Sequence, residues 1–193
     1  MKLTTTLNRI KACDPCDDDW QAVLQAAGKT EPDDEPISYE AILDAVGLDR
    51  ALWCCRAEPQ YSSLWRQYAV WCARQVQHLL TDERSIAALD VAERHANGDA
   101  TDEELAAAKG AASSAARSVA DVDVTVMDAA WAATKAASDA ASDAASDAAW
   151  SAVWSAWPAL ATAMDTQSAA FRQLVTTGTL PPIQQLQKHE AVR

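Results

Sequence analysis

The sequence predicts an all-α protein, and three observations point to that class. Start and stop signals for helices recur along the chain, and the second half is rich in alanine, the residue with the highest helix propensity. No segment sustains the period of two that marks a strand. Apolar residues instead recur at helical spacing, as at Leu64, Tyr68, Trp71, Cys72, Val76 and Leu79. We expect a multi-helix bundle or stacked helical layers, with a long Ala-rich helical hairpin in the C-terminal half.

The first part of the chain reads as short helices separated by loops. A short helix is expected over residues 4–12, and a second over residues 18–27 that stops at Gly28. Ser38 is a good N-cap for a third helix, which ends at Gly47. Asp49 can cap the next one, which stops before Pro59.

Two longer helices follow. The apolar spacing described above predicts an amphipathic helix over residues 62–79, and the next helix begins at residues 81–83 and ends at Asn97 and Gly98. Its apolar face comprises Ile86, Leu89, Ala92 and Ala96. A capping box then opens another helix, because the Thr101 hydroxyl and the Glu104 carboxylate can each accept a bond from a free backbone N–H.

The composition changes after this point. Residues 106–170 are mainly Ala, Ser, Asp and Trp, with three consecutive Ala-Ala-Ser-Asp units over residues 136–147. Residues 121–126 alternate but are few, so we interpret them as a boundary between two helices. A last helix runs from about Pro158 to Val175, and residues 178–193 form a peripheral helix or tail. This divides the chain into an N-terminal helical region (1–99), an Ala/Trp-rich region (100–177) and the tail.

Charge narrows the classes of function. The 193 residues include 28 Asp or Glu and 16 Lys or Arg, a net charge of -12. Such a field repels nucleic acid and anionic lipid, so we expect no direct binding to DNA or RNA and no membrane association. Nor does the sequence contain an apolar run of signal-peptide or membrane-spanning length. The charge favours a protein partner with a basic surface.

The five cysteines predict no metal site. Cys13 and Cys16 have the spacing of half a zinc knuckle, but the other three do not supply the second half. We interpret all five as buried, reduced thiols in a cytoplasmic protein. Neither a cofactor motif nor a nucleophile signature accompanies the histidines at positions 78, 95 and 189, so we do not expect an enzyme.

The acidic repeat is the first candidate for a binding surface. Asp139, Asp143 and Asp147 lie four residues apart, which on one helix gives a row of carboxylates about 6 Å apart. This resembles the spacing of phosphates along a nucleic-acid strand, and Asp128 adds a charge earlier in the same region. The row can mimic phosphates for a basic groove, or it can simply keep an Ala-rich helix soluble.

A tryptophan stripe is the second candidate. Trp150, Trp154 and Trp157 fall at i, i+4 and i+7, and therefore on one face of a helix. Such a stripe can fill gaps between Ala-rich helices, or it can form an interface, including one with a second copy of this chain.

The chain also resembles a known family. Residues 20–57 contain GKT, DDEP, an ILD-x-x-GLD element and ALWC, and the likeness continues through RQYAVWCA at 66–73 and ALDVAERHANGDATDEELAAA at 88–108. These elements are similar to the immunity-5-like group of immunity proteins of bacteria and phages. The resemblance implies an all-helical protein without an established active site. In place of the Ala-Ala-Trp or Ala-Ala-Arg repeats of that group, this chain has acidic Ala-Ala-Ser-Asp units.

We therefore expect a stoichiometric inhibitor or immunity protein that blocks a basic, nucleic-acid-binding surface of a toxin or defence nuclease in the bacterial cytoplasm. A phage-encoded form would be an anti-CRISPR or anti-restriction DNA mimic. The alternative is a helical scaffold or oligomerisation module that joins copies through the tryptophan stripe.

Overall fold

The computed structural model describes residues 2–119 and 160–183, which fold into seven α-helices and one two-stranded sheet. The all-α class is confirmed, whereas most of the predicted Ala-rich hairpin lies outside the described residues. Three 3-10 turns occupy Cys55–Ala57, Pro59–Tyr61 and Gln77–Leu79. The helices are α1 (Leu7–Lys11), α2 (Asp17–Ala26), α3 (Tyr39–Cys54), α4 (Ser62–Gln75), α5 (Glu83–Ala96), α6 (Asp102–Val119) and α7 (Leu160–Thr177).

The N-terminus corrects the prediction of a helix that begins at residue 4. Thr4 and Thr5 form strand β1, which pairs antiparallel with β2 (Ile37–Ser38). Threonine is β-branched and suits an extended backbone better than a helix. Thr6, still extended, then caps α1 through its side chain.

This small sheet ties the chain start to two helices. The backbone N–H of Leu3 donates to the carbonyl of Val175 in α7 at 2.8 Å, and the N–H of Tyr39 donates to the carbonyl of Leu3 at 3.2 Å. Leu3 is fully buried. The first residues are therefore part of the core and hold α3 and α7 together.

Two of the predicted start signals, at Ser38 and at Thr101, are confirmed. The Ser38 hydroxyl accepts a bond from the N–H of Ala41 at 3.2 Å, as expected for an N-cap. Thr101 and Glu104 form the predicted capping box, with reciprocal bonds of 2.9 and 3.2 Å. Gly47, at φ 83°, interrupts α3 where the stop was expected.

The helix predicted over residues 62–79 ends earlier than expected. Helix α4 stops at Gln75, and Val76 has the non-helical angles φ −110° and ψ 10°. Its N–H bonds to the carbonyl of Ala73, three residues back, and the following 3-10 turn completes the predicted apolar stripe.

An aromatic cluster joins α3, α4 and α7 in the core. The rings of Tyr39 and Trp65 meet edge to face with centroids 5.4 Å apart, and Phe171 packs against Trp65 at 6.2 Å and against Tyr68 at 5.5 Å. All four side chains are almost completely buried, and they are the largest of the fully buried side chains in the described core.

Helices α5 and α6 pack together through small residues. Ala88 and Ala92 of α5 and Ala112, Ala115 and Ala116 of α6 are almost fully buried. Small side chains allow two helices to approach closely, which agrees with the role expected for alanine in this part of the chain. No helix in residues 2–119 or 160–183 has the length and apolar character needed to cross a membrane.

Candidate interaction surfaces

The seven side chains predicted to bind a partner share one stretch of sequence, residues 120–159. That stretch lies outside the described residues, so the structure places neither the acidic row nor the tryptophan stripe. The seven are Asp128, Asp139, Asp143, Asp147, Trp150, Trp154 and Trp157. The described residues nevertheless carry two surface features suited to a partner, an acidic edge and a groove lined by apolar and polar side chains.

The described residues carry an excess of negative charge even when the Ala-Ala-Ser-Asp repeat is not counted. Residues 2–119 and 160–183 contain 21 Asp or Glu and 13 Lys or Arg. Many of the cations are held by carboxylates. Arg50 contacts Asp19 at 2.6 Å, and Lys29 pairs with both Asp33 and Glu35. Since pairing neutralises most of the positive charge locally, the excess of carboxylates sets the sign of the field.

Acidic side chains lie in two segments, one at each end of α2, and we call these two segments together the acidic edge. The first turn of α2 consists of Asp17, Asp18 and Asp19, where carboxylates also stabilise the positive end of the helix dipole. Beyond its C-terminus, the loop over residues 29–36 carries the exposed side chains of Glu31 and Asp34. Among the described residues, the carboxylates of Asp17, Asp18, Glu31 and Asp34 form no ion pair. These groups remain available to a cationic partner.

The loop that carries this edge is ordered by its own contacts. Lys29 donates to the Asp33 carboxylate and holds the pKa of that group below its ordinary value. The second carboxylate oxygen of Asp33 accepts from the N–H of Glu35 at 3.1 Å, and its carbonyl accepts from the N–H of Asn8 in α1 at 3.1 Å. The loop is thus attached to α1, which fixes the position of the exposed charges beside it.

A groove of about 330 Å³ lies beside α4 and is lined by both apolar and polar side chains. We call it the Trp71 groove. Val70 and Trp71 of α4 form its floor, and Glu93 and Asn97 at the end of α5 form one wall. Residues 180–183, which follow α7, form the other wall.

The cysteine prediction is only partly correct. Cys54, Cys55 and Cys72 are buried, and burial raises the pKa of the Cys54 thiol to about 12. Cys16, however, is exposed, because it sits at the N-cap of α2, and its Sγ donates to the Asp19 carboxylate at 3.0 Å. Cys13 is intermediate. Within the described part of the chain, no three His, Cys, Asp or Glu side chains are arranged to hold a metal ion.

Sequence reasoning missed a buried carboxylate. Glu58 is 1% exposed, and one of its carboxylate oxygens accepts bonds from Arg9 of α1 and from Gln60. Its other oxygen has no partner in the described residues. The only sequence signal is its position directly before Pro59, at the end of an apolar helix. The ion pair between Arg9 and Glu58 connects α1 to the 3-10 turn that precedes α4.

Two of the three histidines are described. The Nε2 atom of His95, in the last turn of α5, lies 2.8 Å from the carboxylate of Asp102 at the start of α6. His78 is exposed in the 3-10 turn after α4, and His189 lies outside the described residues. The contact of His95 joins two helix ends and involves no nucleophile.

No protein-family model matches the sequence, and comparisons with curated proteins and with solved structures give no match either. The likeness to the immunity-5-like group therefore rests on the sequence elements quoted above.

Proposed function

We propose that this chain is a non-catalytic binding protein that inhibits a toxin or defence nuclease by covering its basic, nucleic-acid-binding surface. The observation that carries this proposal is the excess of carboxylates over cations, which holds for the described residues and for the whole chain. A basic groove made for phosphates attracts such a surface, and the attraction also speeds encounter.

The carboxylates of the acidic edge are held by ordered backbone. Such an arrangement is better suited to an inhibitor than a flexible acidic tail would be. The acidic edge is carried by the first turn of α2 and by a loop bonded to α1, so its carboxylates lose little freedom on binding. The Asp139, Asp143 and Asp147 row would supply further carboxylates, spaced about 6 Å apart on the helix that their sequence favours. Such an inhibitor would act in the bacterial cytoplasm, where a nuclease meets nucleic acid.

A more specific form of the proposal is phage anti-defence. A phage-encoded chain of this kind would act against a restriction or RNA-guided effector as a nucleic-acid mimic. The resemblance to bacterial and phage immunity proteins supports this form, and the acidic repeat is the feature suited to it.

The direct test is a titration of the purified chain into the toxin or nuclease that is encoded beside its gene. Cleavage of DNA or RNA should fall to zero near one equivalent of the chain, and excess nucleic acid should restore it by competition. Full cleavage at a large molar excess would contradict the proposal. Assembly of the chain alone into a stable oligomer, with no effect on cleavage, would favour the scaffold alternative.

A further inference from the structure

The Trp71 groove has a rigid apolar wall. Gly178, at φ 82°, turns the chain after α7, and Pro181 and Pro182 restrict the backbone that follows. The indole of Trp71 donates to the carbonyl of Pro181 at 2.9 Å and so attaches this segment to α4. The groove is therefore formed before any partner arrives, which lowers the entropy cost of binding.

The edge of the groove exposes apolar surface. Ile183, at the end of the wall, is 46% exposed. In the described residues, only Met164 shares this property among large hydrophobic side chains, and it lies on α7. A volume of about 330 Å³ is at the lower end of the range for ligand pockets. It suits one or two side chains better than a whole helix.

The opposite wall carries one carboxylate, Glu93, which shares Arg74 with Asp90 outside the groove. Arg74 contacts the carboxylates of Asp90 at 2.6 Å and Glu93 at 2.8 Å. The arginine side chain is only 11% exposed, whereas the two carboxylates are 61% and 51% exposed. The guanidinium is thus covered while the two carboxylates face solvent, and no lysine or arginine of the described residues lines the groove. A positive group next to an apolar one would complement this arrangement.

We propose that the Trp71 groove binds a segment of a partner protein in which a large apolar side chain lies next to lysine or arginine. The apolar side chain enters between Trp71 and Ile183, and the cation lies against Glu93. An apolar anchor inside a polar rim is the usual arrangement of an interface hot spot. The inference rests on the proposed function, because the groove would give a basic partner a specific contact in addition to the long-range attraction of the carboxylates.

The test uses the full-length chain and a short fluorescein-labelled peptide in which leucine and tryptophan alternate with lysine. A second peptide, with serine in place of leucine and tryptophan, has the same charge. We expect saturable binding of the first peptide, a shift of the Trp71 indole N–H signal in NMR, and much weaker binding of the second. Equal binding of both peptides would overturn the proposal, because attraction would then depend on charge alone.

Two variants and two matched controls locate the site. Ile183→Ser removes the exposed apolar edge, and Glu93→Lys reverses the charge of the opposite wall. Each should weaken peptide binding by at least about fivefold. Met164→Ser removes the other exposed apolar side chain, and Asp165→Lys reverses an exposed charge on α7 outside both the groove and the acidic edge, so both should bind as the wild type does. Similar affinities for all four variants would overturn the assignment to this groove.

If the Trp71 groove is occupied by the tail of the chain or by a second copy, the binding experiments give different results. Tighter peptide binding after deletion of residues 184–193 would mean that the tail of the chain itself occupies the groove. A dimer that Ile183→Ser dissociates would mean that a second copy does. Either result overturns the proposal. If the Ile183→Ser and Glu93→Lys variants inhibit the nuclease as well as the wild type does, the groove inference fails while the proposed function stands. If the wild type binds the peptide in the groove but inhibits no nuclease, the proposed function fails instead.

Discussion

The indole N–H of Trp71 donates a 2.9 Å hydrogen bond to the carbonyl oxygen of Pro181, 110 residues further along the chain. The indole is almost completely buried, so this bond satisfies a donor that would otherwise be costly to remove from water. It also fixes the segment that closes the Trp71 groove. One long-range bond therefore connects the stability of the fold to the shape of a candidate binding site.

Replacement of Trp71 by Phe should loosen this segment. Loss of the bond is expected to lower the free energy of unfolding by about 1 kcal/mol, with a further loss from the smaller ring. NMR signals of residues 179–183 should shift. The control is Trp53→Phe, because half-buried Trp53 packs against Arg56 and is not part of the groove. If Trp71→Phe leaves those signals unchanged, the bond does not hold the wall.

The buried Glu58 carboxylate should make Arg9 important for stability. Arg9→Ala removes the cation and leaves a charge with little access to water, which is unfavourable. The double variant Arg9→Ala with Glu58→Gln also removes the charge, so it should unfold at a higher urea concentration than Arg9→Ala alone. A lower midpoint for the double variant than for Arg9→Ala would show that the buried charge is not the cause.

Asp82 should contribute a pH-dependent part of the stability. Bonds from the Arg84 side chain and from its backbone N–H lower the pKa of Asp82 from 3.8 to about 2. Because the folded-state pKa is lower than the unfolded one, the contribution is complete above about pH 4 and disappears as the pH falls through 2. Asparagine is also a good N-cap and does not titrate.

The measurement is urea unfolding of the wild type and of Asp82→Asn between pH 5 and pH 2. The wild type should be the more stable protein at pH 5, and the difference should shrink towards pH 2. A difference that stays constant over this range would mean that the Asp82 charge does not stabilise the start of α5.

The thiols should differ in reactivity. Cys16 is exposed and should react first with a thiol reagent, whereas Cys54, Cys55 and Cys72 should react only when the protein unfolds, since burial raises the pKa of each. A chelator should leave the melting temperature unchanged. Stoichiometric zinc, with unfolding on chelation, would show that Cys13 and Cys16 had been misinterpreted.

Features that depend on neighbouring residues could be predicted from the sequence, and features that depend on distant ones could not. The Ser38 cap and the Thr101 capping box each involve residues only three apart. Strand β1 needs a partner more than thirty residues away, so Thr4 and Thr5 were assigned to a helix. The Trp71 groove was missed for the same reason. The adjacent prolines at 181 and 182 fall in the segment predicted as a peripheral helix or tail, whereas in the structure they line the groove.

Exposed carboxylates are proposed to bring this chain to a basic partner, and replacement of Asp139, Asp143 and Asp147 measures that attraction most directly. Replacing all three with Asn removes three charges and keeps the side-chain shapes. The matched control replaces Ser138, Ser142 and Ser146 of the same repeats with Ala, which changes no charge. Affinity for the neighbouring toxin or nuclease is measured for all three proteins from low salt to about 0.5 M, where the Debye length is about 4 Å.

We expect the Asn variant to bind more weakly than the wild type at low salt, mainly through slower association, and the serine control to bind normally. The difference should narrow as salt screens the charges. Equal affinity of the wild type and the Asn variant, with no dependence on salt, would contradict the account. The Trp150, Trp154 and Trp157 stripe would then be the better candidate for the interface.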